Sequence, residues 1–326
     1  MLSLAGSSHP ESGFVSVLVV GTVAFDSIET PFGSAPRILG GSGVYIGLAA
    51  RMFCDDVRLV SVVGEDFPPE YVAVLRNAGV DLEGLEVERN GRTFAWAGRY
   101  HFDMNVRDTL ATHLNVLETF DPVVPARYRE SRIVCLGNLD PGVQRRALEQ
   151  VPHPELVICD TMNYWIENTP ESLRETLKGV DCLIINDSEA RELSGESNLV
   201  RAARCIRALG PSILIIKKGE HGALLFTDGC IFSAPAYPLE DIHDPTGAGD
   251  SFAGGLAGYL ASVPEIDLDA LKRGVIHARA MASFAVERFG TEALIGLTPD
   301  ALRARTGAFR ALTDVPGVGM RLRIED

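Results

Sequence analysis

From residue 132 to residue 217 the chain alternates short, continuous apolar runs with amphipathic stretches. Strands are expected at 132–136, 155–160, 181–185 and 212–217, and helices at 142–150, near 171–178 and near 187–210. Apolar strands that do not alternate, joined through helices, are buried on both faces, so the pattern implies a parallel, doubly wound α/β sheet. Two earlier runs extend it, FVSVLVVG at 14–21 and residues 57–63, with a helix over 67–78 ended by Gly79. Such sheets bind ligands beyond the carboxyl ends of their strands. Asp140, Asp160 and Asn186 fall there, so Asp140 is a candidate for substrate contact. Each of the three can equally cap the helix that follows, and for Asp160 taken alone that is the simpler reading.

Two segments do not belong to this pattern. A βαβ unit would enter its helix directly after the first strand, but about twenty residues intervene before the next helix. They hold Asp26, the turn Pro31-Phe32-Gly33 and a short run at 37–39, and read as an excursion from the sheet. Residues 92–102 (RTFAWAGRYHF) alternate with period two, placing Phe94, Trp96, Tyr100 and Phe102 on one face and Thr93, Ala95 and Ala97 on the other. Together, 25–39 and 92–102 predict a small separate sheet, with an aromatic face that needs a substrate or a partner to cover it. Residues 103–117 are polar and irregular and carry no assignment.

The chemistry concentrates in Asp244-Pro245-Thr246-Gly247-Ala248-Gly249-Asp250-Ser251-Phe252-Ala253-Gly254-Gly255, followed by an apolar helix from about 253 to 260. Small residues opening a helix let backbone approach an anion, and the helix N-terminus attracts it. Asp250 would repel a phosphate there unless its task is to take a proton from a hydroxyl that attacks the phosphate. Anion hole and adjacent base together suffice for phosphoryl transfer to an alcohol. The plainer reading is a capped helix with an acid in its first turn. Gly40-Gly41-Ser42-Gly43 also opens an apolar helix, through about Phe53. Its spacing does not match a dinucleotide fingerprint, and no P-loop motif occurs in the chain.

The string from Asp244 to Gly255 resembles the C-terminal signature of the PfkB-type carbohydrate kinases, the family of ribokinase and adenosine kinase. Gly40-Gly41 resembles the family's N-terminal signature, and the resemblance runs from about residue 14 to 302. It implies a ribokinase-like fold, a mostly parallel sheet with helices on both faces, plus a β-lid over 25–39 and 92–102 that closes on the substrate and joins a homodimer. It also implies ATP-dependent transfer of the γ-phosphoryl group to a hydroxyl of a sugar or nucleoside. Asp250 would be the base, and the amides of Gly247, Ala248, Gly249 and Asp250 the anion hole. Asp26, Gly40 and Gly41 would bind substrate hydroxyls.

The sequence departs from the ribokinase pattern in two places. Ser42 stands where Lys is usual, and Tyr45 where a sugar-contacting Asn is usual. Tyr45 either touches substrate or packs on its helix. Asn186-Asp187-Ser188-Glu189 matches the Asn-x-x-Glu motif, which assigns Asn186 to the nucleotide and Glu189 to Mg²⁺ through water. Lys217, Gly219 and Gly222 resemble the nucleotide loop, although a pair of lysines is also an ordinary solvated turn. Asp244 and Thr246, with the loop near 289–291, match a monovalent-cation site suited to K⁺, unless Asp244 only begins the turn before Pro245. A sugar phosphate is the least favoured substrate, with only Arg37, Arg99 and Arg107 to hold a second phosphate. The competing class is a non-catalytic sugar or nucleoside sensor, or an assembly protein, on the same fold; it has no need of a base at 250.

Charge and termini bound the rest. The formal net charge is −14, from 44 acids and 30 bases, which argues against nucleic-acid partners. Six scattered cysteines without a Cys-x-x-Cys pair read as reduced thiols of a cytoplasmic protein. No apolar run reaches membrane-spanning length. Residues 1–13 read as a leader without signal-peptide character, 14–310 as the kinase domain and 311–326 as a tail without assignment. Thr298-Pro299 reads as the start of a final helix.

Overall fold

The computed structural model describes residues 15–313. The chain enters at β1 (Val17–Val20), leaves as a hairpin of β2 (Ala24–Thr30) and β3 (Gly33–Gly40), and returns through α1 (Ser42–Arg51), β4 (Val57–Gly64), α2 (Pro69–Asn77) and β5 (Val80–Glu88). A second excursion adds β6 (Ala95–Tyr100) and β7 (Arg107–His113). Then follow β8 (Ile133–Leu136), α3 (Pro141–Leu148), β9 (Leu156–Asp160), α4 (Asn163–Asn168), α5 (Pro170–Leu177), β10 (Cys182–Asn186), α6 (Asp187–Ser194), α7 (Leu199–Arg207) and β11 (Ile213–Lys217). The chain closes with β12 (Ala223–Thr227), β13 (Cys230–Ala234), α8 (Ala248–Ser262), α9 (Leu268–Ala285), α10 (Glu292–Ile295) and α11 (Pro299–Thr313).

The large sheet has the order β13-β12-β11-β10-β9-β8-β1-β4-β5. Its strands from β5 to β11 pair in parallel, and β12 and β13 add an antiparallel edge. Alternate residues of each strand feed two cores. Val17, Val19, Ile133 and Ile158 pack with α1, α8 and α9, while Leu18, Val20, Val134 and Val157 pack with α3, α5 and α7. Each such aliphatic side chain contributes about 1.5–3 kcal/mol when fully buried, which explains why unbroken apolar runs gave these strands away. The second sheet, β3-β2-β6-β7, is separate and covers the segments expected to form a lid.

Four expectations change. β7 occupies the middle of 103–117: its sequence RDTLATH buries nothing fully, so no apolar period announces it. β5, a polar strand at the edge of the large sheet, escaped notice for the same reason. The aromatic row is not a row. Tyr100 turns inward and is buried, Trp96 is half-buried, and Phe102 lies past the strand end at 83% exposure. Finally, α11 runs to Thr313, so a domain boundary at 310 falls inside a helix. The leader at 1–13 and the tail from 314 lie outside the described residues. Among those described, no helix is long and apolar enough to cross a membrane, and all six cysteines are free thiols.

Candidate active site

α8 carries the centre of the site, and its placement is tightly determined. Arg132, itself buried and paired with Glu155, donates to the carbonyls of Ala261 at 3.0 Å and Val263 at 2.6 Å, satisfying orphan acceptors at the C-terminus of α8. Gly258 faces α1 so closely that a β-carbon would stand 2.5 Å from the Ala50 carbonyl. At the other end Gly247 is the N-cap, with φ +76°, and a β-carbon there would overlap the ring of Tyr45. The helix starts at Ala248, a full turn earlier than its apolar stretch suggested. The Ala248 N–H is turned to the Pro245 carbonyl at 3.2 Å. Among the described residues no acceptor takes the N–H of Gly249 or Asp250, so those two amides, rather than Ala248, can hold an anion.

Charged groups from distant strands converge on this turn. Lys217, at the end of β11, places Nζ where it would stand 2.8 Å from a β-carbon on Gly249, and 3.5 Å from Asp160 Oδ1 at the end of β9. Asp160 is buried and caps nothing. Burial lowers the proton affinity of the Lys217 amine, but the carboxylates of Asp160, Glu189 and Asp250 outweigh it and hold the ammonium charged. Burial, reinforced by Asp160 and opposed by Lys217 and Arg107, pushes Asp250 up to about 7. Glu189 is also pushed up to about 7, by burial and with Lys217 opposing. A carboxyl poised near neutrality accepts a proton effectively in physiological buffer.

The β2–β3 hairpin brings a further carboxyl to the site. Asp26 on β2 lies against Gly40, where a β-carbon would overlap its carboxyl. Burial pushes Asp26 up to about 7; the Gly41 N–H lowers it, and the nearby Asp244 and Asp250 raise it. Arg107, on the unforeseen β7, reaches back over the site: its charge acts on Asp26, Asp250 and Glu189, and its guanidinium lies 5.4 Å from the Trp96 ring centre. Among the described residues no carboxylate lies within 4 Å of it, whereas Arg37 is paired with Asp66 and Arg99 with Glu29. The only sequence signal for Arg107 was its charge in an unassigned segment.

Other expected residues have different employment. Asp140 caps α3, accepting from Gly142 N at 2.9 Å and Val143 N at 3.2 Å, the alternative that its place before a helix allowed. Asn186 and Glu189 form a reciprocal capping box on α6, with both bonds at 2.8 Å, while Glu189 still faces Lys217. Tyr45 is 1% exposed with its ring under Gly247, and its buried hydroxyl has no partner among the described residues. Asp244, wholly buried, accepts from Thr246 N at 2.8 Å and Gly290 N at 2.9 Å, so it clasps the two loops expected around a monovalent ion. The Thr246 hydroxyl donates to Tyr100 Oη at 3.1 Å, tying the small sheet to this loop. Among the described residues no three His, Cys, Asp or Glu side chains gather in metal-holding geometry. Gly219 and Gly222 both have positive φ in the turn after β11, where Gly219 borders a cavity of about 500 Å³. The lid tip at Asp103–Asn105, the segment 236–245, Ala248 and one face of α9 complete its wall.

Comparison with known proteins agrees with this geometry. Residues 36–295 match the family described as pfkB family carbohydrate kinase. A cytidine kinase of Thermococcus kodakarensis is 28% identical over 77% of this chain and 90% of its own length. A 1-phosphofructokinase of Haloferax volcanii is 36% identical over 76% of this chain and 81% of its own. Among solved structures, a Burkholderia thailandensis nucleoside kinase in complex with inosine superposes with a TM-score of 0.73 at 20% identity, covering 91% of this chain and 99% of that one.

Proposed function

The chain belongs to the pfkB family of carbohydrate kinases and is an ATP-dependent kinase acting on a hydroxyl acceptor, and from that premise we propose that it phosphorylates a nucleoside or sugar with Asp250 as the base. The observation that carries this is the first turn of α8: two unclaimed amides beside a carboxyl pushed up to about 7, lying between the 500 Å³ cavity and Asp26. The donor nucleotide occupies the cavity, with its phosphates running toward Gly249 and Lys217. Asp26 and the Gly40–Gly41 backbone orient the acceptor. Asp250 takes the proton of the attacking hydroxyl, and the Gly249 and Asp250 amides, Lys217 and Arg107 stabilise the charge on the transferring group.

Three carboxyls around this turn leave it short of positive charge once phosphates enter. Mg²⁺ needs only one or two protein carboxylates, so Glu189 suits it through water, and when bound it would neutralise phosphate charge. Asp244 and the loop at Gly290 are positioned for a monovalent ion such as K⁺.

Nucleosides are the first acceptors to test, since a relative of high coverage is named a cytidine kinase and the small sheet offers the half-buried Trp96 for a base to pack on. A homodimer would form through the lid edges β3 and β7, which are largely exposed; sedimentation tests that contact. ADP release measured across nucleosides, pentoses, hexoses and a sugar phosphate tests the reaction. Turnover with one class identifies the acceptor, and none across the panel would favour a sensor on the same fold.

A further inference from the structure

The donor-side cavity contains a cation that the chemistry above does not use. α9 presents Arg279, Ala282, Ser283 and Val286 to it, spaced as one helical face. Arg279 is half-buried, and burial lowers its proton affinity to about 10. No carboxylate lies within 4 Å of it among the described residues. A desolvated cation without a counter-charge is costly. Its protein contacts are two carbonyls of adjoining segments: Nε donates to Pro235 O at 3.3 Å and Nη2 to Gly219 O at 3.2 Å. These fix the plane of the guanidinium and, among the described residues, leave Nη1 without a protein partner. Val286 adjoins the loop that opens α8, through His243 N at 2.9 Å from its carbonyl. Arg279 stands two turns further along α9, about 10 Å away along the axis. The phosphates are drawn to the α8 end, so the group that meets Arg279 is the far end of the nucleotide.

We propose that Arg279 reads the base of the phosphoryl donor and equips this site for 6-oxopurine triphosphates, GTP and ITP, at least as well as for ATP. A guanidinium only donates. Guanine and hypoxanthine present O6 and N7 as adjacent acceptors that match its fork, whereas adenine pairs N7 with an amino group that is itself a donor. A bidentate match of this kind discriminates by about 5- to 150-fold. The inference rests on the cavity being the donor site.

Calorimetric titration of the full-length protein with ADP, GDP and IDP, without acceptor, tests it. GDP and IDP should bind at least as tightly as ADP. Arg279→Met should raise the ratio of the GDP to the ADP dissociation constant by about 5- to 150-fold. Arg279→Lys, which keeps the charge but not the fork, should raise it as well, and serves if the Met variant melts early. GDP binding tenfold weaker than ADP to the unmodified protein overturns the proposal. So does an equal loss of both nucleotides in the variants, which would make Arg279 a strut or a ribose contact. If no diphosphate binds at all, the donor assignment of the cavity itself fails.

Discussion

Replacing Asp250 by Asn should remove activity and add stability, and the stability gain should depend on pH. The group sits near 7 in the folded protein against 3.8 for a free aspartate. A carboxyl that holds its proton more tightly when folded lends stability below its unfolded value, and that contribution is lost as pH rises through about 7. The ionised carboxylate therefore costs the fold about 2 kcal/mol at pH 5 and about 4 kcal/mol at pH 8. Asn carries no such charge. Lys217 loses an anionic neighbour in the variant, which takes back part of the gain at every pH. The difference between the two proteins should still widen by about 2–3 kcal/mol from pH 5 to pH 8. For a chain of this length that is about 3–5 °C in Tm. Melts of the nucleotide-free proteins at pH 5, 6, 7 and 8 measure it. With a working acceptor, kcat should fall by about 10²–10⁴ or more, and kcat/KM of the unmodified enzyme should rise with pH through about 7. A gap that does not change with pH, or an Asn variant with near-full kcat, would refute the assignment of Asp250 as a desolvated base.

Arg107→Ala should lower kcat by about 10²–10³; a change confined to the acceptor KM would make it a binding residue instead. Tyr45→Phe removes a buried hydroxyl that has no partner and should stabilise the empty enzyme by about 1 kcal/mol. If acceptor KM rises in that variant, the hydroxyl belongs to the substrate after all. At equal ionic strength K⁺ should raise kcat relative to Na⁺ or a bulky organic cation, and Asp244→Ala should abolish the difference while loosening the loop it holds at Thr246 and Gly290. Equal rates of the unmodified enzyme in all three salts would exclude an activating ion.

Much of this protein follows from short-range chemistry. The strands from β8 to β11 announced themselves because burial on both faces demands unbroken apolar runs. Thr298-Pro299 marked α11 because an N-cap hydroxyl and a proline at the first helical position are local requirements, and the Ala301 N–H does donate to the Thr298 hydroxyl at 3.2 Å. The Gly-Ala-Gly-Asp turn was legible for the same reason: close backbone approach to an anion needs small residues in one contiguous string. β5 and β7 were not legible, since lid and edge strands exposed to water carry no apolar period.

What tertiary structure alone decided is which polar residues are already employed. Asp140 and Asp160 look alike in sequence, each a strand-end Asp before a helix. One caps α3, and the other meets Lys217 only because β9 and β11 flank β10 in the sheet. Arg107 acts on Asp26 and Asp250 because β7 pairs with β6 in the small sheet, a pairing that no local pattern encodes. Sequence supplies groups and the turns that present them. The free energy of burying a charge, and so its proton affinity and its task, depends on neighbours brought together from distant parts of the chain.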